Sequence, residues 1–167
     1  DESQLPGLEA LEDCDVALFF TRRLKIRGAA LDRVKAYVAL GKPVVGVRTA
    51  SHGFQHWLAF DKEVLGGSYE GHYGNGPTQT ATVVPELRAH PIMDGVTKIS
   101  SLSSLYKNRS NAADTVTLMD SQTPEAREPA AWVREYKGAR VFYTSLGGVQ
   151  DFENDTFRRM LANALFW

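Results

Sequence analysis

The stretch PVVGVRTASHGF, Pro43 to Phe54, decides the fold. Its first half is continuously apolar, as expected for a strand that is covered on both faces. Ahead of it lie a second apolar run, Val16 to Phe20, and a segment with the spacing of an amphipathic helix, Ala29 to Leu40. Two such strands joined by a helix form a βαβ unit, which normally has parallel strands and a right-handed crossover. The sequence therefore predicts an α/β domain.

The rest of the chain extends this unit into three layers with further strands in the second half. A helical stretch is predicted after Phe54, and a glycine-rich loop at Gly66 to Pro77. The chain closes with a helix whose apolar face includes Phe157 and Leu161. The remaining predicted strands are Thr80 to Val84, Val116 to Met119, Ala131 to Val133 and Arg140 to Thr144.

Length and composition narrow the classes of function. The chain has 167 residues, which suits a single domain over residues 1–167. A net charge of -1 gives no bulk attraction to nucleic acid, and no apolar run is long enough to cross a bilayer. We expect a soluble protein of undetermined compartment that binds a small molecule, with homo-oligomerisation left open. The single cysteine, Cys14, excludes a disulfide framework and a cysteine-rich zinc site.

The polar end of the PVVGV strand lies where α/β enzymes often carry a nucleophile, but its residues do not fit a nucleophile elbow. A Gly-x-Cys-x-Gly elbow would fall on Gly46 to Ala50, and Arg48 stands at the cysteine position. A guanidinium stays protonated and cannot attack a carbonyl. Cys14 precedes a strand, at the wrong end for such a site. A serine elbow at Ser51 would need glycine at Thr49. We therefore do not expect a glutamine amidotransferase.

Several ordered segments carry a resemblance to a known family. They are PVVGVRTASHGF, EVLGGSYEGHYG (63–74), HPIMDGV (90–96), SSLYKN (103–108), EPAAWVREYKGARVFYTSLGG (128–148) and DFENDTFRRMLANALFW (151–167). Their order and spacing resemble a ThuA-like, trehalose-utilisation domain, a branch of the class I glutamine amidotransferase-like superfamily. The resemblance implies a flavodoxin-like three-layer sandwich with a mainly parallel sheet and a connection to carbohydrate catabolism. It leaves open that the fold lacks its usual first strand.

Two positions depart from the family pattern. Many members have histidine where this chain has Arg48, and members commonly have histidine in place of Gly148. Any role of those histidines cannot be transferred to this chain. An arginine at a strand end is costly to bury unpaired, so Arg48 should meet a carboxylate, an anionic ligand or several carbonyl groups.

The site residues follow from the strand ends and the matching motifs. We predict His52 and His72 as the catalytic residues, because a histidine titrates near neutral pH. Arg22 and Arg23 follow the first strand and are expected to line the same crevice, with one of them simply solvated. The predicted substrate-binding residues are Arg22, Arg48, Thr49, Ser51, Tyr73 and Tyr106.

Three hypotheses about function remain. The first is an enzyme of glycoside or disaccharide catabolism with its pocket near Arg48, and the second is a non-catalytic sugar- or protein-binding module. The third is a metal-dependent hydrolase, since His52 and His56 have the spacing of two zinc ligands on a helix. Because no third ligand lies nearby in the sequence, we predict neither a metal nor another cofactor.

Overall fold

A seven-stranded mixed sheet forms the centre of the molecule in a computed structural model that describes residues 4–74 and 78–167. Helix α1 precedes β2 and helix α2 closes the chain. The elements are β1 (Ala17–Phe19), α1 (Gly28–Ala39), β2 (Val44–Val47), β3 (Gln79–Val83), β4 (Lys98–Ser101), β5 (Val116–Gln122), β6 (Arg127–Tyr136), β7 (Ala139–Thr144) and α2 (Asp155–Phe166).

The sheet is mixed, so the predicted mainly parallel, flavodoxin-like arrangement is only partly correct. Its strand order is β1-β2-β7-β6-β5-β3-β4. Only the β1–β2 and β2–β7 pairs are parallel, and the other four are antiparallel. Short connections cause this difference. Lys137 and Gly138, both with positive φ, join β6 to β7 as a two-residue hairpin, which fixes antiparallel pairing.

Helices cover both faces of the sheet, which confirms the layered α/β architecture. One core lies between the sheet and α1 and includes Val34, Trp132 and Tyr143. The other lies on the opposite face, where Phe157 and Met160 of α2 pack. From Ala131 to Val133 in β6 and from Val141 to Tyr143 in β7, the residues alternate between the two cores, as strand geometry requires.

The second predicted helix is much shorter than expected. After Phe54 the chain makes turns, and regular helix is limited to a short stretch that ends in the π-helix Asp61–Leu65. Gly66, with φ of 71°, ends this helix in a left-handed conformation. The following predicted loop is irregular apart from one bridge at His72, and its last three residues, 75–77, lie outside the described residues.

The three parallel strands determine where the predicted site residues lie. Because β1, β2 and β7 run in the same direction, their carboxyl ends meet at one edge of the sheet. Arg22 and Arg23 follow β1, the 3-10 turn Arg48–His52 follows β2, and Ser145 follows β7. Among the described residues, no helix is long and apolar enough to cross a membrane.

Candidate functional site

The turn after β2 has a strained backbone at Arg48. This residue has φ of 43°, in the left-handed region that costs a non-glycine residue about 1–3 kcal/mol. Two hydroxyl groups stabilise the turn at the Arg48 carbonyl oxygen. Tyr143 Oη donates to the Arg48 carbonyl at 2.7 Å, and Ser51 Oγ lies 3.2 Å from the same oxygen. A strained strand-to-helix turn of this kind is where α/β hydrolases carry their nucleophile, and here it carries an arginine.

The Arg48 guanidinium is held by carbonyl groups and a ring. Its Nη1 donates to the Ser145 carbonyl at 2.8 Å, and its Nη2 donates to Ser104 Oγ at 3.2 Å. The guanidinium carbon lies 4.4 Å from the centre of the Tyr106 ring, within the range of a cation–π contact. Arg48 Nη1 also donates to the Ser104 carbonyl at 3.4 Å, so of the three expected kinds of partner Arg48 meets carbonyl groups. The side chain thereby ties the β2 turn to the segment after β7 and to the 103–108 segment.

His52 lies half-buried between aromatic rings. Its imidazole stacks on Tyr69 with ring centres 4.6 Å apart and an interplanar angle of 20°, and Tyr106 lies 6.2 Å away. Burial lowers the pKa of His52 to about 4, with further lowering by the positive charges of Arg23, Arg22 and Arg48 and by His72. His52 is therefore neutral at pH 7.

A hydrogen bond orients the imidazole of His52. Its Nδ1 lies 3.1 Å from the Ser51 hydroxyl, which has a single proton. When that hydroxyl donates to the Arg48 carbonyl, its oxygen accepts from His52 Nδ1–H, and Nε2 carries the lone pair. Ser51 thus acts inside the turn as a support for His52 and does not cap a following helix.

His72 reaches the same site from the glycine-rich loop. The loop pairs with the 103–108 segment through the His72–Tyr106 bridge, and Tyr73 N donates to the Leu105 carbonyl at 2.9 Å. His72 itself is exposed. Its Nδ1 donates to the Tyr73 carbonyl at 2.7 Å, since a carbonyl can only accept, so Nε2 is the ring nitrogen that remains for a ligand. Both histidines lie beside Tyr106, since His72 pairs with it in the bridge and the ring centre of His52 is 6.2 Å from that of Tyr106.

The other predicted residues divide between this site and a neighbouring cluster. Thr49 is half-buried in the turn, and Arg22 is exposed but acts electrostatically on His52 and Tyr106. Tyr73 points its hydroxyl elsewhere, donating to the buried Glu128 at 2.6 Å and accepting from Arg109. These contacts favour a structural role for Tyr73 over the predicted contact with a sugar.

Two residues at the site escaped prediction, Tyr69 and Asp61. Tyr69 forms the flat wall against His52, and its backbone N–H donates to Asp61 Oδ2 at 2.9 Å. Asp61 is only 7% exposed, and burial raises its pKa to about 6. The aromatic spacing in SYEGHY could have suggested Tyr69. A lone aspartate in an apolar helical segment gave no comparable signal.

The loop after β7 is fixed by a buried carboxylate. Asp151 Oδ2 accepts hydrogen bonds from Gly147 N and Gly148 N, each at 2.8 Å, and from Ser101 Oγ at 2.9 Å. Gly147 has φ of 121°, and a Cβ there would lie 2.7 Å from the Val47 side chain. This packing positions the Ser145 carbonyl that holds Arg48. Gly148 leaves no side chain where the resemblance suggested a histidine.

The structure offers no ligand set for a metal ion. Within residues 4–74 and 78–167, no group of three or more His, Cys, Asp or Glu side chains could hold one. His56 Nε2 accepts a hydrogen bond from Arg27, and His52 ends a 3-10 turn, so the two do not share a helix face. Cys14 lies beside Lys42, just ahead of β2 and at the opposite end of the parallel strands from Arg48.

Comparisons with known proteins agree with this architecture. The family model for trehalose utilisation, ThuA, matches residues 1–167. A ThuA-like protein from Bacteroides uniformis superposes with a TM-score of 0.70 at 21% identity, covering 98% of this chain and 72% of that one. A cytoplasmic protein from Salmonella typhimurium superposes with a TM-score of 0.65 at 18% identity, covering 99% of this chain and 76% of that one. A β-galactosidase from Bacillus circulans gives 0.60 at 12% identity, covering 89% of this chain and 22% of the other. A search of curated proteins gave no match.

Proposed function

Because this chain belongs to the ThuA (trehalose utilisation) family, we propose that it binds and processes a carbohydrate at the edge where β1, β2 and β7 end. The family description supports a carbohydrate, and the same fold forms part of a β-galactosidase chain. The position of the site supports the proposal as well, since open α/β sheets bind ligands beyond the carboxyl ends of their strands.

The neutral, half-buried imidazole of His52 is the observation that carries this proposal. It is flanked by the rings of Tyr69 and Tyr106, and aromatic faces suit the apolar faces of sugar rings. A neutral histidine can accept a proton from a sugar hydroxyl, and general base catalysis of this kind contributes about 10²–10⁴-fold. His72, whose Nδ1 donates to the Tyr73 carbonyl, is the candidate for the second proton transfer.

We propose a positioning role for Arg48. Its guanidinium is already engaged by the Ser145 carbonyl, Ser104 and the Tyr106 ring. It therefore fixes the aromatic wall of the pocket more than it contacts substrate. Thr49 and Arg22 remain candidates for substrate contacts, Thr49 from within the turn and Arg22 from the end of β1.

A second candidate function is a sugar-binding module without catalysis. The presence of Arg48 at the strained elbow favours it, because the position that could carry a nucleophile is used to hold the pocket together. The two functions differ in turnover alone. The metal-dependent hydrolase has no support from the side chains of the described residues.

Binding and turnover of a panel of mono- and disaccharides test the proposal. The matched variants are His52→Ala and His56→Ala, since His56 is exposed and bonded to Arg27. We expect a sugar to raise the melting temperature of the wild type and of His56→Ala, because a ligand that binds the native state stabilises it. His52→Ala should lose turnover. Binding without turnover in the wild type would favour the non-catalytic module. If no sugar binds to the folded protein, the proposal fails.

A further inference from the structure

We propose that the carbohydrate bound at this site carries an anionic group, a carboxylate or a phosphate, which Arg22 and Arg23 bind beside His52. The inference rests on the proposed function and names the substrate class for it. Neither the family description nor the relatives specify a charged ligand.

The backbone after β1 is braced so that the two arginines lie next to the β2 turn. Leu24 N donates to the Gly53 carbonyl at 2.6 Å, and Gln55 N donates to the Leu24 carbonyl at 2.8 Å. These bonds place Arg23 beside the residues that follow His52. Arg23 also has φ of 53°, so it is held in the left-handed region, as Arg48 is. Strain of this kind persists where the surrounding structure fixes the residue, and it concentrates at ligand sites.

The charges of Arg22 and Arg23 are not balanced locally. In the part of the chain that the structure describes, neither forms an ion pair or hydrogen bond with a carboxylate. Five other arginines do have an acidic partner: Arg33, Arg109, Arg127, Arg134 and Arg158. The absence of such a partner could be explained by solvation alone, because exposed arginines are often solvated. Their position at the strand ends, close to a half-buried imidazole, argues for a ligand.

The surroundings of His52 have the electrostatics of an anion site. Four groups act electrostatically on His52 to lower its pKa, and all are cationic when protonated: Arg23, Arg22, Arg48 and His72. Its other neighbours are the hydroxyl of Ser51 and the rings of Tyr69 and Tyr106. An anion bound between the arginines would offset this positive potential and raise the pKa of His52. The imidazole would then be closer to the pKa at which a general acid or base works best near neutral pH.

Calorimetric titration at low ionic strength tests the inference. The probes are gluconate, glucose 6-phosphate, glucose and inorganic phosphate, added to the wild type and to Arg22→Gln and Arg23→Gln. The matched control is Arg88→Gln, because Arg88 is also exposed but lies in the turns between β3 and β4. We expect one of the anionic sugars to bind at least ten times more tightly than glucose. Losing one charged hydrogen bond should weaken that binding about ten- to hundred-fold, with no change in Arg88→Gln.

The outcomes separate this inference from the proposed function. If glucose binds as tightly as both anionic sugars, and the arginine variants are unaffected, the inference is wrong and the carbohydrate site stands. If no sugar binds, both fail. If inorganic phosphate binds as tightly as glucose 6-phosphate, the site recognises anions without a sugar, and the inference fails as stated. Preference for gluconate or for glucose 6-phosphate decides between carboxylate and phosphate.

Titration of the His52 imidazole by NMR gives a second readout. We expect the preferred anionic sugar to raise the pKa of His52 in the wild type and less in Arg22→Gln, whereas glucose should leave it unchanged. Arg22 lies outside the left-handed region, so Arg22→Gln replaces a residue without that backbone strain. It therefore still tests the inference if Arg23→Gln folds poorly. An unchanged pKa of His52 with bound anionic sugar would overturn the placement beside this residue.

Discussion

The half-buried His52 and the buried Asp61 should make opposite contributions to the pH dependence of stability. Burial and nearby positive charge lower the pKa of His52 from 6.5 to about 4, and burial raises the pKa of Asp61 from 3.8 to about 6. As the pH falls from 6.5 to 4, the unfolded chain protonates its histidine first, so the His52 contribution destabilises the fold. Over nearly the same range the folded chain protonates Asp61 first, so this contribution stabilises it.

The magnitudes of the two contributions are similar. The raised pKa of Asp61, which is almost fully buried, corresponds to about 2 kcal/mol of unfolding free energy between pH 6.5 and 4. The His52 ring is half-buried, and solvent screening reduces its contribution to about 2 kcal/mol. In the wild type the two largely cancel. Burial also lowers the pKa of His90, so His90, like His52, destabilises the fold as the pH falls.

Urea unfolding at several pH values separates the contributions. On lowering the pH from 6.5 to 4, Asp61→Asn should lose about 2 kcal/mol of stability relative to the wild type, and His52→Gln should gain about 2 kcal/mol. Comparing each variant with the wild type removes the effect of all other titrating groups. Asp32→Asn, at an exposed position on α1, is the control and should follow the wild type. If both test variants also run parallel to the wild type, the assignment of these pKa values is wrong.

Two further substitutions test the packing that holds the site, each by urea unfolding at pH 7. Gly67→Ala should destabilise the protein by about 1–3 kcal/mol, because a Cβ there would lie 2.2 Å from Asp61 Oδ1. Gly74→Ala is the control. A Cβ at Gly74 meets no atom within 4 Å, so this substitution should cost less than 1 kcal/mol. Tyr143→Phe should cost about 1–2 kcal/mol, since it removes the buried hydroxyl that donates to the Arg48 carbonyl. An unchanged stability in Tyr143→Phe would show that this hydroxyl does not support the strained turn.

The sequence predicted the βαβ unit and the edge of the sheet at which Arg48 and His52 lie. Apolar runs over β1 and β2 and the helical spacing of α1 are local patterns, and the structure has all three elements there. Strand β4 was missed because its four residues, KISS, have only one strongly apolar side chain. The antiparallel half of the sheet was not predicted either, since strand direction depends on pairing with distant strands as well as on local composition.

The sequence accounts for the proximity of the predicted residues that follow a strand, and less well for that of the residues in the loops. His52, Arg48 and Ser51 lie in one short turn, so their proximity follows from the chain itself. Tyr106 reaches that turn through the loop pairing at His72, and Tyr69 reaches it by stacking on His52. Tyr73 was placed at the site by its sequence neighbours, but its hydroxyl bonds to Glu128, which is 55 positions along the chain.

The sequence by itself determined the strand ends, the arginine in the turn after β2 and the family pattern, because each depends on residue type and local spacing. Only the tertiary structure decided which charges meet. The Leu24–Phe54 pairing brings Arg22 and Arg23 to His52, and burial gives His52 and Asp61 their shifted pKa values. Electrostatic interaction and desolvation depend on distance and on the surrounding atoms, and these are set by the folding of remote segments onto one edge of the sheet.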